Sequence, residues 1–124
     1  MFSNISSKIE RKLQMISVNS VTLLGEIKGD IRHNTTANSQ VANASLLTEE
    51  QTYNGKTIRT YHNITVWGKS AELVRDMNEG EKLYVQGSIG TESWEQDGER
   101  KYKTVIKANR VNLVTEDGIA NDPF

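Results

Sequence analysis

Tyr61 and Trp67 stand six residues apart in the run Tyr61-His62-Asn63-Ile64-Thr65-Val66-Trp67-Gly68-Lys69. Taken at a period of two, Tyr61, Asn63, Thr65 and Trp67 share one face of a strand, and His62, Ile64, Val66 and Gly68 share the other. The aliphatic face should be buried. Two large rings are then left among small polar groups on the side facing solvent, where a stable domain gains nothing from leaving them bare. The chemistry such rings can do is stacking, because every nucleic-acid base presents a π-face whatever its identity. The pattern recurs downstream, where Leu83, Val85, Gly87 and Ile89 make an inward face while Tyr84, Gln86, Ser88, Gly90, Glu92 and Trp94 take the opposite parity. One misplaced ring is commonly a partly buried surface residue; several on the polar faces of neighbouring strands point to a stacking platform.

Charge supports the same chemistry once its distribution is considered. The net charge is −1, unpromising for phosphate binding, but Thr115 to Phe124 contains Glu116, Asp117 and Asp122 with no Lys or Arg. Residues 1–114 therefore carry 15 basic against 13 acidic groups, a slightly basic body ending in an acidic tail. Arg100, Lys101, Lys103, Lys107 and Arg110 cluster late in the body, and Lys56 and Arg59 lie beside the aromatic strand. Such cations can hold a phosphate backbone while rings hold the bases.

Other chemistries find little support. With no cysteine, neither a disulfide framework nor a thiolate metal site is available. His33 and His62 are the only histidines, and no nucleophile–base pair, zinc constellation or clustered carboxylate spacing can be read, so no catalytic residue, metal or cofactor is expected. No apolar segment approaches the length of a membrane span, and the N-terminus lacks the basic start and apolar stretch of a signal peptide, so a soluble cytoplasmic protein is expected.

The elements that must position these residues are mostly short strands. At 124 residues and 35% hydrophobic content, one domain with tails is expected: an extension over 1–18, a body over 19–114 and a tail over 115–124. Ile5, Ile9, Leu13 and Ile16 predict an amphipathic helix or a frayed arm at the N-terminus. Val18 to Ile27 predicts a first strand, with Gly25 suggesting a bulge or bend. The Asn-, Thr- and Ser-rich stretch Gly29 to Gln40 reads as a loop. Val41 to Tyr53 predicts a second strand, Asn54-Gly55 a two-residue hairpin turn, and Lys56 to Trp67 a third strand. Ser70 can cap a helix whose apolar face is Ala71, Leu73, Val74 and Met77 and which Gly80 can end. Lys82 to Trp94 and Arg100 to Val114 predict a fourth and fifth strand joined at Asp97-Gly98. Five strands with a helix between the third and fourth match an all-β, Greek-key OB-fold barrel, whose closure also removes open sheet edges. An open sheet with a packed helix competes with it.

These blocks resemble the bacterial-type single-stranded DNA-binding proteins, including bacteriophage-encoded members, from Asn19 to about Val114. Asn19 to Ile27 resembles the family's opening strand and Val41 to Thr48 its second. Tyr61 to Glu72 is similar to its most characteristic block, an aromatic-His pair followed by aromatic-Gly-Lys and a helix start. Gly80 to Thr91 with Trp94 completes the set. The ending Asn121-Asp122-Pro123-Phe124 resembles the family's acidic tip, which docks onto replication and repair proteins; Phe124 offers an apolar anchor, and its α-carboxylate and Asp122 offer charge.

The resemblance implies sequence-independent binding of single-stranded DNA in replication, recombination and repair, by a homotetramer. It implies that Tyr61, Trp67 and Trp94 stack bases. It adds Tyr53 near the end of the second strand and Tyr84 at a family aromatic position, and Lys69 joins Lys56, Arg59, Arg100, Lys101, Lys103 and Lys107 as a phosphate contact. His62, on the inward face, should serve the core or a subunit contact. Asp122, Pro123 and Phe124 would bind protein partners. The sequence departs from the family at Ile31, in its longer leading segment, and in the short spacer Thr115 to Ala120, which makes a phage origin plausible. A protein-interaction adaptor and an RNA-binding barrel are the alternatives, since stacking does not distinguish sugars.

Overall fold

Alternation between aliphatic and polar residues produces six strands and one short helix in the computed structural model, which describes residues 16–116, 118 and 119. The helix expected within residues 1–18 and the tip at 121–124 lie outside the described residues, except that Ile16 to Val18 are exposed and irregular. The order is β1 (Val21–Thr35), β2 (Gln40–Gln51), β3 (Thr57–Trp67), α1 (Lys69–Arg75), β4 (Lys82–Gln96), β5 (Glu99–Thr115) and the two-residue β6 (Gly118–Ile119). Sheet neighbours run β3-β2-β1-β4-β5-β6, and a parallel pairing of Ile64 with Ile106 and Thr65 with Lys107 joins β3 to β5. That pairing closes a five-stranded barrel with the helix between β3 and β4, the OB-fold arrangement.

The barrel interior is apolar because one parity of every strand is aliphatic. Ile27 from β1, Leu46 from β2, Ile64 and Val66 from β3, Leu83 and Val85 from β4 and Val111 from β5 are buried together with Ala71 and Val74 of α1. Each large aliphatic contributes on the order of 1.5–3 kcal/mol by leaving water. His62 is half-buried on the inward side, its Nε2 2.9 Å from the Thr48 hydroxyl.

Several boundaries differ from the sequence reading. The stretch taken as a loop from Gly29 continues β1 to Thr35, because Arg32 to Thr35 pair with Asn43 to Gln40 of β2; pairing with a neighbour overrides the weak strand preference of Asn and Thr. The irregularity sits between Lys28 and Arg32, with Gly29 at φ 74°, and not at Gly25. Gly25 instead permits a close approach: a Cβ there would fall on the Leu47 carbonyl oxygen. The β2–β3 connection is longer than a two-residue turn, closed by the Thr52 N–H donating to the Lys56 carbonyl at 2.8 Å. Ser70 lies inside α1, whose N-cap is Gly68 without a side-chain bond, and the helix ends before Gly80, whose N–H donates to the Ile27 carbonyl at 2.8 Å. Ile89 is half-exposed because β4 runs past the end of β1, where the Asn19 side chain bonds both the N–H and the carbonyl of Ile89 at 2.8 Å.

Candidate nucleic-acid interface

β3 turns its aromatic parity outward as expected: Tyr61 is 61% exposed and Trp67 46%, while Ile64 and Val66 between them are buried. Thr65 departs from that pattern. It is buried on the outer face, its hydroxyl donating to Asn43 Oδ1 at 2.9 Å, so β2 and β3 are bridged by side chains midway between the two rings.

Trp94 reaches the same surface from another element. Beyond Gly87, β4 leaves β1 and continues with β5 as a two-stranded arm to the turn at Asp97-Gly98, where both residues have positive φ. On this arm Glu92 faces Lys103 and Trp94 faces Lys101 across the strands. A depression lined by Trp94, Ser93, Glu92, Arg32 and Lys103 lies against the arm. A second cavity of about 110 Å³ also borders Arg32 and Lys103 and extends to Asn63 and Thr65 of β3. The cavity and the depression adjoin at these two shared side chains, so cations line the groove where the β3 face meets the arm.

The sequence-predicted residues divide on this geometry. Trp94 lines the depression on the arm, Tyr61 lines a neighbouring pocket with Asn63 and Thr104, and Trp67 shares the outward parity of Asn63 and Thr65 without lining either depression, while Lys101, Lys103 and Lys107 carry the arm's Trp94 parity. Tyr53 is fully exposed on the β2–β3 turn and Lys56 closes that turn; Lys69 is the first residue of α1, two positions after Trp67. Arg100 takes the other side of the arm, donating to the Ser93 hydroxyl at 3.0 Å. Tyr84 is not brought together with the other rings. It is half-buried between Leu24 of β1 and Asn112 of β5, ten residues along β4 from Trp94.

Four of the seven candidate phosphate contacts already hold carboxylates: Arg59 with Glu49 at 3.0 Å, Lys101 with Glu99 at 3.1 Å, Arg100 with Glu95 at 3.6 Å and Lys103 with Glu92 at 3.7 Å. The hydrogen bond to Glu49, with its charge, pushes the Arg59 guanidinium above its ordinary value. These pairs lie at the surface, where solvent screens them, so a phosphate can displace the carboxylate at small cost. Lys56, Lys69 and Lys107 have no ion pair among the described residues.

Sequence reasoning missed Arg32, Asp30, Asn43 and Tyr102. Arg32 was hidden in the supposed loop, although the alternation of Ile31 and His33 with Arg32 and Asn34 is a strand signal. Tyr102, 67% exposed, occupies the arm face opposite Trp94.

A five-stranded barrel with outward rings and a cation-lined groove is matched by the single-strand binding protein family over residues 18–114. The chain belongs to the single-strand binding protein family. That family binds single-stranded DNA and is not enzymatic, and the match spans every strand of the barrel. Among solved structures, a deletion mutant of the single-stranded DNA-binding protein from Thermus aquaticus superposes with a TM-score of 0.65 at 21% identity. The match covers 86% of this chain and 55% of that one, so this single-strand binding family chain spans about half the length of that protein. The likeness carries the fold. No helix among the described residues is long and apolar enough to cross a membrane.

Proposed function

We propose that single-stranded DNA lies along the groove between β3 and the β4–β5 arm, with bases stacked on Tyr61, Trp67 and Trp94 and with Tyr53 extending the track. The observation that carries this reading is that the β3 cavity and the Trp94 depression adjoin, with Arg32 and Lys103 bordering both. Lys101, Lys103 and Lys107, joined by Lys56 and Lys69, hold the backbone. Stacking is indifferent to base identity and contributes about 1–3 kcal/mol per base, so binding tolerates any sequence while depending steeply on salt.

The broader role is protection of single strands during replication, recombination and repair in a bacterial or phage-infected cell. Asp122, Pro123 and Phe124 recruit protein partners, and the working form is a homotetramer. The family resemblance supports these parts, and the acidic, aromatic-ended tip supports the recruitment. The test is competition between labelled oligo-dT and unlabelled single-stranded or duplex DNA of equal length. Single strands should displace the probe far more effectively; equal displacement by duplex would reject base stacking, since paired bases cannot reach the rings. Truncation after Ala120 should abolish capture of partners while leaving oligo-dT affinity intact.

A further inference from the structure

The cavity on the β3 face, next to the Trp94 depression, holds a group that phosphate binding does not explain. Asp30, a carboxylate, lines it together with Arg32, Asn43, Asn63, Thr65 and Lys103. Asp30 owes that position to the irregularity in β1: Lys28 faces Ser45 and Arg32 faces Asn43, so three residues, Gly29 to Ile31, stand opposite Ala44 alone. Bulges of this kind re-aim side chains. Among the described residues the exposed Asp30 carboxylate has no ion pair and no side-chain hydrogen bond, although Arg32 and Lys103 border the same cavity. A bare anion in a groove built for phosphates weakens binding unless it meets a donor on the ligand.

The remaining polar atoms define what that ligand is. The Thr65 hydroxyl donates to Asn43 Oδ1, which leaves the Asn43 amide nitrogen as a donor. The Asn63 amide nitrogen is directed to the Thr104 carbonyl at 3.5 Å, which leaves Asn63 Oδ1 as an acceptor. The cavity thus sets acceptors, Asp30 and Asn63 Oδ1, alongside donors, Asn43 Nδ2, Arg32 and Lys103, with the Ser45 hydroxyl able to act as either. A cytosine edge is the complement, with its exocyclic amine donating and its ring nitrogen and carbonyl accepting; Asp and Glu are the side chains that accept from that amine. Uracil and thymine place a carbonyl oxygen where the amine would be, and two acceptors then face each other unpaired. At about 110 Å³ the cavity suits the edge of a single ring.

We infer that Asp30 and the amides of Asn43 and Asn63 form a base-edge pocket that favours cytosine over keto pyrimidines within an otherwise sequence-tolerant groove. The inference rests on the groove proposed above as the path of the DNA. Its test compares oligo-dC with oligo-dU of equal length, which differ at the amine and the adjoining ring nitrogen, at mildly alkaline pH and fixed salt. The wild type should favour dC over dU by about fivefold or more, the scale of one good base contact. Asp30→Ala should erase that ratio by losing dC affinity and gaining dU affinity, and Asp30→Asn, which supplies an amide donor, should move it furthest toward dU. If Asp30→Ala raises both affinities equally, the carboxylate merely repels phosphate and the pocket assignment is overturned. An equal wild-type affinity for the two oligomers overturns it as well while leaving the groove intact, whereas failure of the wild type to bind either one rejects the groove itself.

Discussion

Trp94 and Tyr84 sit on the same strand, at the same parity, in different surroundings. Trp94 stands on the free arm, 41% exposed, with Arg32 and Lys103 beside it. Tyr84 stands where β4 is flanked on both sides, by Leu24 and Asn112, and is half-buried. Ten residues of strand separate them, about 30 Å at the usual rise. Parity tells which side of a sheet a ring takes; only the neighbouring strands determine whether that side is open to a ligand.

Truncating each ring in turn tells the two regions apart. Trp94→Ala should weaken oligo-dT binding by about 2 kcal/mol, roughly thirtyfold, with the melting temperature little changed; anisotropy titration and thermal unfolding check the two halves. Tyr84→Ala should do the reverse, costing about 1.5 kcal/mol of stability through lost packing while the folded protein keeps its affinity. If both substitutions weaken binding equally, the division between the two regions is wrong.

Charge sharpens the contrast between the two faces of the arm. Lys103→Gln should lower the slope of log affinity against log salt by about 0.7, the contribution of one phosphate contact on a single strand. Arg100→Gln, on the opposite face with Ser93, should change the slope less. The smallest effect is expected at Glu92→Gln, which frees Lys103 from its carboxylate and should tighten binding by no more than about 1 kcal/mol.

Much of the barrel was legible because its information is local. Strict alternation from Tyr61 to Trp67 identified β3, its buried side and its exposed rings, and Asp97-Gly98 identified the tip of the arm, where both residues do take positive φ. What escaped depends on contacts distant in sequence. Gly29 to Thr35 has the composition of a loop and becomes strand through its pairing with β2. That misreading concealed Arg32 and Asp30, and with them the floor of the groove. Ile89 has the parity of a core residue but lies where β4 has outrun β1, and Thr65 has the parity of a surface residue but is buried under Asn43.

DNA bound on the aromatic face of β3 and the arm would cover both tryptophans. The chain has two tryptophans, Trp67 and Trp94, and both belong to that face, so intrinsic tryptophan fluorescence reports from nowhere else. Titration with oligo-dT at low salt should quench most of the emission and saturate, with Trp67→Phe and Trp94→Phe each retaining a quenched remainder. Binding shown by anisotropy with no change in tryptophan emission would contradict the account.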